Sequence, residues 1–553
     1  MSPIISRELL EVLRRRRAVA LQVGLAVACA PLVLVRWPTG DVADLSGARS
    51  LQVLRVFGYG LLACVLLLVP AYPATSLVRE KVQGTLALLL NSPLRPWSIY
   101  AGKLGGTLGF TAILLVMTLP AAAACYALGG AGSRGGITAL YLVLGLAAVQ
   151  VSTLGLLVSS RAQAADGALR FTYGLVLTVC VLTLIPYALM RGGSGPATEL
   201  ASWLRCLSPV PAVMEVLGQG DVGSQGISAS HAVAPRYALL AGLASLFCAW
   251  ATVARLNHTA LDRARPAGVM TQDRSTGGRV ARGVLFLFFF DPQRRAGSMS
   301  GWVNPVMVKE FRARRFGRSH WTLRLIALCA ILSLGLSYVA ASGALDWGIE
   351  VIGGALVLLQ VALLIVFTPS LAAGLVSAER ESGSWQLLRM TPLSGSAILR
   401  GKMLSVAWPL LLLLCATLPG YVVLMTIKPA LVQQVQRVVV CLALTALFAV
   451  LLSAAASTLF RSTAAATTAA YLLLLTVCLG PLLLWLGREA PFGHAAVQAA
   501  LTISPVAAAL QAAEVPCFAS YELLPANWWF IGGACLVLEL FLRLRVWQLC
   551  RPS

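Results

Sequence analysis

Gly395-Ser-Ala-Ile-Leu-Arg-Gly401-Lys402-Met403 comes closest to a nucleotide site. A phosphate-binding loop of the GxxxxGK[ST] type wraps backbone N–H groups around the phosphates and sets a hydroxyl on Mg²⁺. This run has one residue too many between its glycines, and Met403 stands where the hydroxyl belongs. The four histidines, His231, His258, His320 and His494, are scattered and form no HExxH or other ligand spacing, so no metal centre is expected. No Ser-His-Asp set is readable, and the apolar runs hold no pair of acids for carboxylate catalysis. Glu539 is the clearest acid inside an apolar run, and Arg543 lies one helical turn on. That spacing predicts a structural pair rather than a proton relay. The 13 Cys are mostly single and set in apolar stretches, where free Cys behaves as a small hydrophobe. Cys206 and Cys517 fall in loop-like segments and could pair.

The charged residues that do form a pattern form it twice. Glu80-Lys81, Gly84-Thr85, Leu88-Leu89, Ser92-Pro93 and Gly102-Lys103 align without a gap to Glu379-Arg380, Gly383-Ser384, Leu387-Leu388, Thr391-Pro392 and Gly401-Lys402. Pro3-Ile-Ile-Ser-Arg7-Glu8 matches Pro305-Val-Met-Val-Lys309-Glu310, Tyr173 to Cys180 matches Tyr471 to Cys478, and Ser208-Pro209-Val210 matches Ser504-Pro505-Val506. Four matches in one order, with a nearly constant offset, predict a tandem repeat. The element after Glu80 reads as a short amphiphilic helix stopped by proline. Glu80 and Glu379 either contact a partner, brace that helix, or simply end it in solvent. Gly102, Gly105, Gly106 and Gly109 give overlapping GxxxG spacings, which predict close helix packing.

The elements that must position these residues are membrane spans. Of 553 residues, 58% are apolar and only 12% charged, against roughly 25% charged in a soluble domain. A water-facing surface cannot be built from so few charges, which excludes a soluble enzyme. The chain has 43 Lys and Arg against 21 Asp and Glu, a net charge of +22. The basic residues cluster between apolar runs, which fits the positive-inside rule and anionic lipid, not nucleic acid. Twelve spans are expected, at 18–37, 51–75, 103–128, 137–159, 170–190, 235–255, 322–342, 350–376, 403–427, 434–459, 464–487 and 527–547. The basic clusters put both termini on the cytoplasmic side.

The expected fold is therefore an all-α polytopic membrane protein of two parallel six-helix repeats. Residues 1–256 form the first half and 303–553 the second. A basic linker, 257–302, carries an apolar Leu285–Phe290 run that lies either at the membrane interface or packed on protein. Segments 191–234 and 488–526 are each expected to hold a short re-entrant or interfacial helix.

The duplicated motif resembles the membrane subunit of type-2 ATP-binding-cassette (ABC) exporters, where an acid, Gly-Thr or Gly-Ser, paired Leu, Ser/Thr-Pro and Gly-Lys follow in that order. The resemblance implies that residues 76–92 and 375–391 are coupling helices, with Glu80, Lys81, Gly84, Thr85 and Pro93 in one and Glu379, Arg380, Gly383, Ser384 and Pro392 in the other. It implies that Arg7, Glu8, Lys309 and Glu310 lie on amphipathic connecting helices. It also implies a separate cytosolic ABC ATPase, in two copies, so that ATP and Mg act on the partner and no cofactor binds this chain. In the second motif Trp385, Arg389 and Met390 replace Leu86, Leu90 and Asn91, so the two ATPase contacts are expected to differ. The implied function is substrate export across the inner membrane. The alternative is an ion-coupled secondary transporter, which would normally need buried ion ligands near the midplane. A membrane-embedded enzyme lacks its acid clusters.

Overall fold

A run rich in Leu, Ala and Val with few β-branched interruptions favours helix, and in a bilayer only a helix satisfies its own backbone. The computed structural model describes residues 3–14, 48–184 apart from Pro93 and 128–133, 186–187, 195–218, 233–258, 304–313, 349–486 and 493–550, with Gln22 and a few positions between 327 and 335. All regular structure among these residues is helical. The chain divides into two compact units, Met1–Ala264 with Leu482–Val497, and Arg265–Pro481 with Gln498–Ser553.

The first unit contains α1 (Pro3–Leu13), α2 (Ala48–Leu68), α3 (Ala71–Gln83), α4 (Thr85–Asn91), α5 (Pro96–Met117), α6 (Leu119–Ala127), α7 (Arg134–Arg161), α8 (Ala165–Leu177), α9 (Pro196–Arg205), α10 (Pro209–Val216) and α11 (Val233–His258). The rest of the chain contains α12 (Pro305–Ala313), α13 (Ile349–Ala372), α14 (Ser377–Glu381), α15 (Ser384–Arg389), α16 (Gly395–Cys415), α17 (Leu418–Ile427), α18 (Val432–Leu459), α19 (Thr463–Leu486), α20 (His494–Leu501), α21 (Pro505–Ala512) and α22 (Ala526–Cys550), which belong to the second unit except for the end of α19 and the first half of α20.

Eight helical stretches among the described residues are long and apolar enough to cross a bilayer: Leu54–Gln83, Pro96–Ala124, Gly136–Arg161, Val233–Leu256, Gly353–Glu381, Gly395–Thr426, Val432–Leu459 and Thr463–Leu482. The protein is an all-α, multi-pass membrane protein. The expected span at 18–37 lies outside the described residues apart from Gln22, and that at 322–342 lies mostly outside them. The linker and its apolar run lie outside them too. The expected span at 170–190 corresponds to α8, a short helix running into a π turn at Thr178–Leu182. The expected last span corresponds to α22, 25 residues long, with Glu539 and Arg543 paired at 2.8 Å.

Each unit is built around one long helix. In the first, α7 packs against α2, α3, α5, α8, α10 and α11; in the second, α18 packs against α13, α16, α17, α21 and α22. Small residues let neighbours approach: Ala147 and Ala148 in α7 and Ala454, Ala455 and Ala456 in α18 are all buried. The loop-like segments do carry short helices, α9 with α10 and α20 with α21, the latter pair bent by 103°. Two of the repeat matches meet here. Ser208 caps α10 by accepting from Val210 N and donates to the Cys180 carbonyl at 3.1 Å. Ser504 caps α21 and donates to the Cys478 carbonyl at 2.8 Å. Tyr173 and Tyr471 each donate at 2.6 Å to a carbonyl, of Leu67 and Val366, in the preceding long span. Cys206 and Cys517 are both free thiols, the first buried and the second exposed.

Candidate functional site

Between α3 and α4 the chain must turn sharply, and Gly84 makes the turn at φ 75°, in the left-handed region. A side chain there would cost about 1–2 kcal/mol. The resulting elbow sets α4 off as a seven-residue helix. Leu86 faces inward with Leu77, Tyr100, Leu156 and Ala249, while Leu88 points away at 71% exposure. The Ser92 hydroxyl donates back to the Leu89 carbonyl at 2.5 Å and closes the helix. Pro93 lies outside the described residues.

Glu80 sits in the last turn before the elbow and is 5% exposed. It is no solvated helix end. Lys103 Nζ, equally buried, reaches Glu80 Oε1 at 2.8 Å and Glu8 Oε1 at 3.0 Å. Tyr72 donates to Glu8 Oε2 at 2.5 Å. One lysine thus ties three helices, α1, α3 and α5, to a single point. Burial pushes the Glu8 carboxyl up, but the Lys103 charge and the hydrogen bonds from Tyr72 and Lys103 outweigh it and hold the group below the usual carboxylate range. The glycine row of α5 seats α1 closely enough for this. A Cβ on Gly106 would fall 2.7 Å from Glu8 Cβ, one on Gly105 3.0 Å from Ile5 Cδ1, and one on Gly109 3.3 Å from Leu9 Cδ1. Arg79 and Glu11 add a half-exposed pair at 2.8 Å, and Arg7 stays exposed.

Lys81 has a different task. Its Nζ donates to the carbonyls of Ser159 (3.2 Å), Ser160 (2.5 Å) and Ala162 (3.3 Å). These are the unpaired carbonyls at the end of α7, where the helix dipole favours a cation. The Ser159 hydroxyl accepts from Leu77 N and Val78 N. The elbow is therefore pinned to the central helix as well as to α1 and α5.

The second unit repeats the arrangement. Gly383 turns at φ 76° between α14 and α15. Lys402 Nζ reaches Glu310 Oε1 at 2.6 Å and Glu379 Oε1 at 3.2 Å. Arg380 donates to the Thr458 carbonyl at 3.0 Å, and the Ser457 hydroxyl accepts from Val376 N and Ser377 N. Two additions distinguish it. Lys309 also binds Glu379 Oε1, at 2.8 Å, and the Ser384 hydroxyl donates to Glu379 Oε2. Trp385 and Leu388 are buried with Val306, Val376 and Ile398, and Trp385 Nε1 donates to the Leu549 carbonyl at 3.3 Å. Leu387 and Met390 stand out at 68% and 82% exposure, with Pro392 exposed in the turn that follows.

Residues 4–256 match the family model described as ABC-2 family transporter protein. This half of the chain is an ABC-2 transporter domain. The match supports a membrane permease component of an ABC transporter, a transport subunit. Among curated proteins, no match to the chain is found. The ABC-2 domain contains α1 to α11 almost entire, and with them the whole Glu8–Lys103–Glu80 cluster.

Within the ABC-2 domain, Glu8 and Glu80 converge on one lysine, Gly84 makes the corner, and Lys81 caps α7. Thr85 donates weakly to the Glu80 carbonyl, at 3.4 Å. Gly102-Lys103 and Gly401-Lys402 stand at the opening of two expected spans. The structure makes both lysines the centres of their clusters. Their signal is recurrence at 23 residues after the glutamate in both halves, near the start of largely apolar helices. Tyr72 has no such signal, because Leu371 replaces it in the second half.

Proposed function

We propose that the chain is the membrane permease of an ABC exporter in which residues 303–553 act as a second permease half. A separate cytosolic ABC ATPase, in two copies, hydrolyses ATP with Mg and delivers its motion to α4 and α15. Both termini face the cytoplasm, and the membrane is the inner membrane. The observation that carries this reading is the repeated elbow: a glycine corner, a short helix with one outward leucine (Leu88, Leu387), and a buried Glu–Lys–Glu cluster behind it.

The geometry suits a lever. Leu88 and Leu387 offer apolar anchors for a groove on a partner, as an amphipathic helix does. A push on α4 cannot be absorbed locally, because Glu80 is bonded through Lys103 to α1 and α5, and Lys81 to the end of α7. Breaking one member of a buried ion cluster costs about 3–5 kcal/mol, so the helices move together. The ATPase must contribute differential contact between its open and closed states, since only that shifts the permease equilibrium.

The test is co-purification. Leu88→Asp with Leu387→Asp leaves both buried clusters intact and should reduce the ATPase recovered with the permease at least tenfold, with unchanged monodispersity in detergent. Full recovery of the ATPase with this double variant would remove the proposal.

A further inference from the structure

Arg380, at the second unit's elbow, lies within reach of the like charges of two other arginines. Arg380 is held to the Thr458 carbonyl at 3.0 Å, and Arg461 and Arg545 lie near enough to act on it electrostatically. Like charges gather only where something of opposite charge compensates them or water screens them. Among the described residues no carboxylate lies within ion-pair distance of any of the three. Glu381, the acid next to Arg380, is engaged elsewhere: its Oε2 accepts from Thr463 N and Oγ1, each at 2.8 Å. Arg545 donates from Nη1 to Gln548, while its Nε is buried without an acceptor.

The first unit lacks this cluster. At the offset of the last repeat match, Arg545 corresponds to Ala249, which is buried against Leu77, Leu86 and Tyr100 behind α4. The second unit has replaced a core alanine with a charge. Beside Arg545 on α22, Leu540, Leu544 and Trp547 form an exposed apolar stripe, at 61%, 50% and 53% exposure. A cationic cluster at the end of such a stripe matches a molecule with a negative head and apolar tails.

We propose that Arg380, Arg461 and Arg545 bind the phosphate of an anionic phospholipid in the cytoplasmic leaflet, with its acyl chains along Leu540, Leu544 and Trp547. Arginine suits this because its planar guanidinium meets a phosphate bidentately. The lipid braces α15 from the side, since Arg380 belongs to the elbow and Arg545 to the helix whose Leu549 carbonyl holds Trp385. The inference rests on the cytoplasmic placement proposed above, not on ATPase coupling.

The full chain, purified without ATPase, is delipidated, incubated with phosphatidylglycerol, phosphatidylcholine or inorganic phosphate, and read by native mass spectrometry. Wild type should retain phosphatidylglycerol and not phosphatidylcholine. Arg545→Ala and Arg461→Gln should each weaken retention about five-fold, and together roughly twenty-fold, while Arg545→Lys retains part and Arg400→Gln, an exposed arginine on α16, changes nothing. Arg545→Ala restores the first half's residue, so it reads the site should the double variant fail to fold. Equal retention by the Arg545→Ala and wild-type chains, equal retention of phosphatidylcholine, or displacement of the lipid by millimolar phosphate would each overturn the proposal. A fluorescent reporter fused after Ser553 checks the side of the membrane separately.

Discussion

The two ion clusters share a plan and differ in charge. Behind α4, two carboxylates, Glu8 and Glu80, share the single lysine Lys103, helped by the Tyr72 hydroxyl. Behind α15, Glu310 and Glu379 meet two lysines, Lys402 and Lys309, and Ser384 satisfies the second Glu379 oxygen. The corresponding oxygen, Glu80 Oε2, is buried without a hydrogen bond. The first cluster thus carries one excess negative charge, concentrated on one cation, and the second is balanced and partly open to solvent through Lys309. The two arrangements share their geometry but not their electrostatics, so they should fail differently when the corresponding residue is removed.

The largest difference is expected at the lysines. Lys103→Met leaves two buried carboxylates with no cation and should cost about 3–5 kcal/mol. Lys402→Met leaves Lys309 on Glu379 and should cost distinctly less. Thermal unfolding of each variant in detergent reads the gap, and equal losses would break the comparison. The packing of α1 and α12 comes next. Gly106→Ala forces a methyl against Glu8 Cβ, and overpacking of this kind costs about 1–3 kcal/mol. Its counterpart Ser405 already carries a side chain, bonded to the Lys402 carbonyl at 2.7 Å, so Ser405→Ala should be nearly silent by the same assay. The second half makes its close approach elsewhere, at Gly401, where a Cβ would fall 2.6 Å from Asn304 Oδ1.

Much of this plan is legible in the residues alone, and the reason is repetition. Gly84 and Gly383 recur because only glycine adopts the left-handed corner cheaply, and Glu80 and Glu379 recur because each is fixed by a lysine from another helix. The GxxxG spacing correctly signals close packing. It cannot say that the neighbour is the short helix α1, because a spacing encodes a groove and not its occupant. Ser159 and Ser457 are invisible for a related reason: a serine accepting two backbone N–H groups looks in sequence like any small residue in an apolar helix. Tyr72, Arg545 and the second-half tryptophan hydrogen bond are specific to one half, and repeat comparison discards what is not shared.

The corners should behave alike where the clusters do not. Gly84→Ala and Gly383→Ala impose the same left-handed strain, about 1–2 kcal/mol each, with open space around both positions. Matched losses in thermal unfolding would sharpen the comparison by confining the asymmetry to charge. A mismatch of more than about half of either loss would mean the elbows themselves differ.

The smallest effect, and the most diagnostic of charge, lies in acid. Glu8 is held below the usual carboxylate range against the opposing effect of burial. A carboxyl whose folded value is depressed stabilises the fold fully above its ordinary unfolded value, near 4.5, and that contribution is lost as pH falls through the depressed folded value. Around it stand Lys103 on α5, Tyr72, Arg79 and Glu80 on α3, and Arg7 and Glu11 on α1 itself. Tyr72→Phe removes one of the hydrogen bonds that lower it, so folded Glu8 should titrate at a higher pH, and its acid-induced loss of stability should be smaller and complete at a higher pH. The second half has leucine at this position and cannot show the effect, so Leu371→Tyr is no substitute. Unfolding temperatures for wild type and Tyr72→Phe should differ most at neutral pH, where the more depressed wild-type carboxyl stabilises more, and should converge as pH falls into acid, apart from any constant packing offset. Parallel curves throughout would show that the Tyr72–Glu8 bond contributes packing and not charge, and the electrostatic contrast between the halves would then rest on the lysines alone.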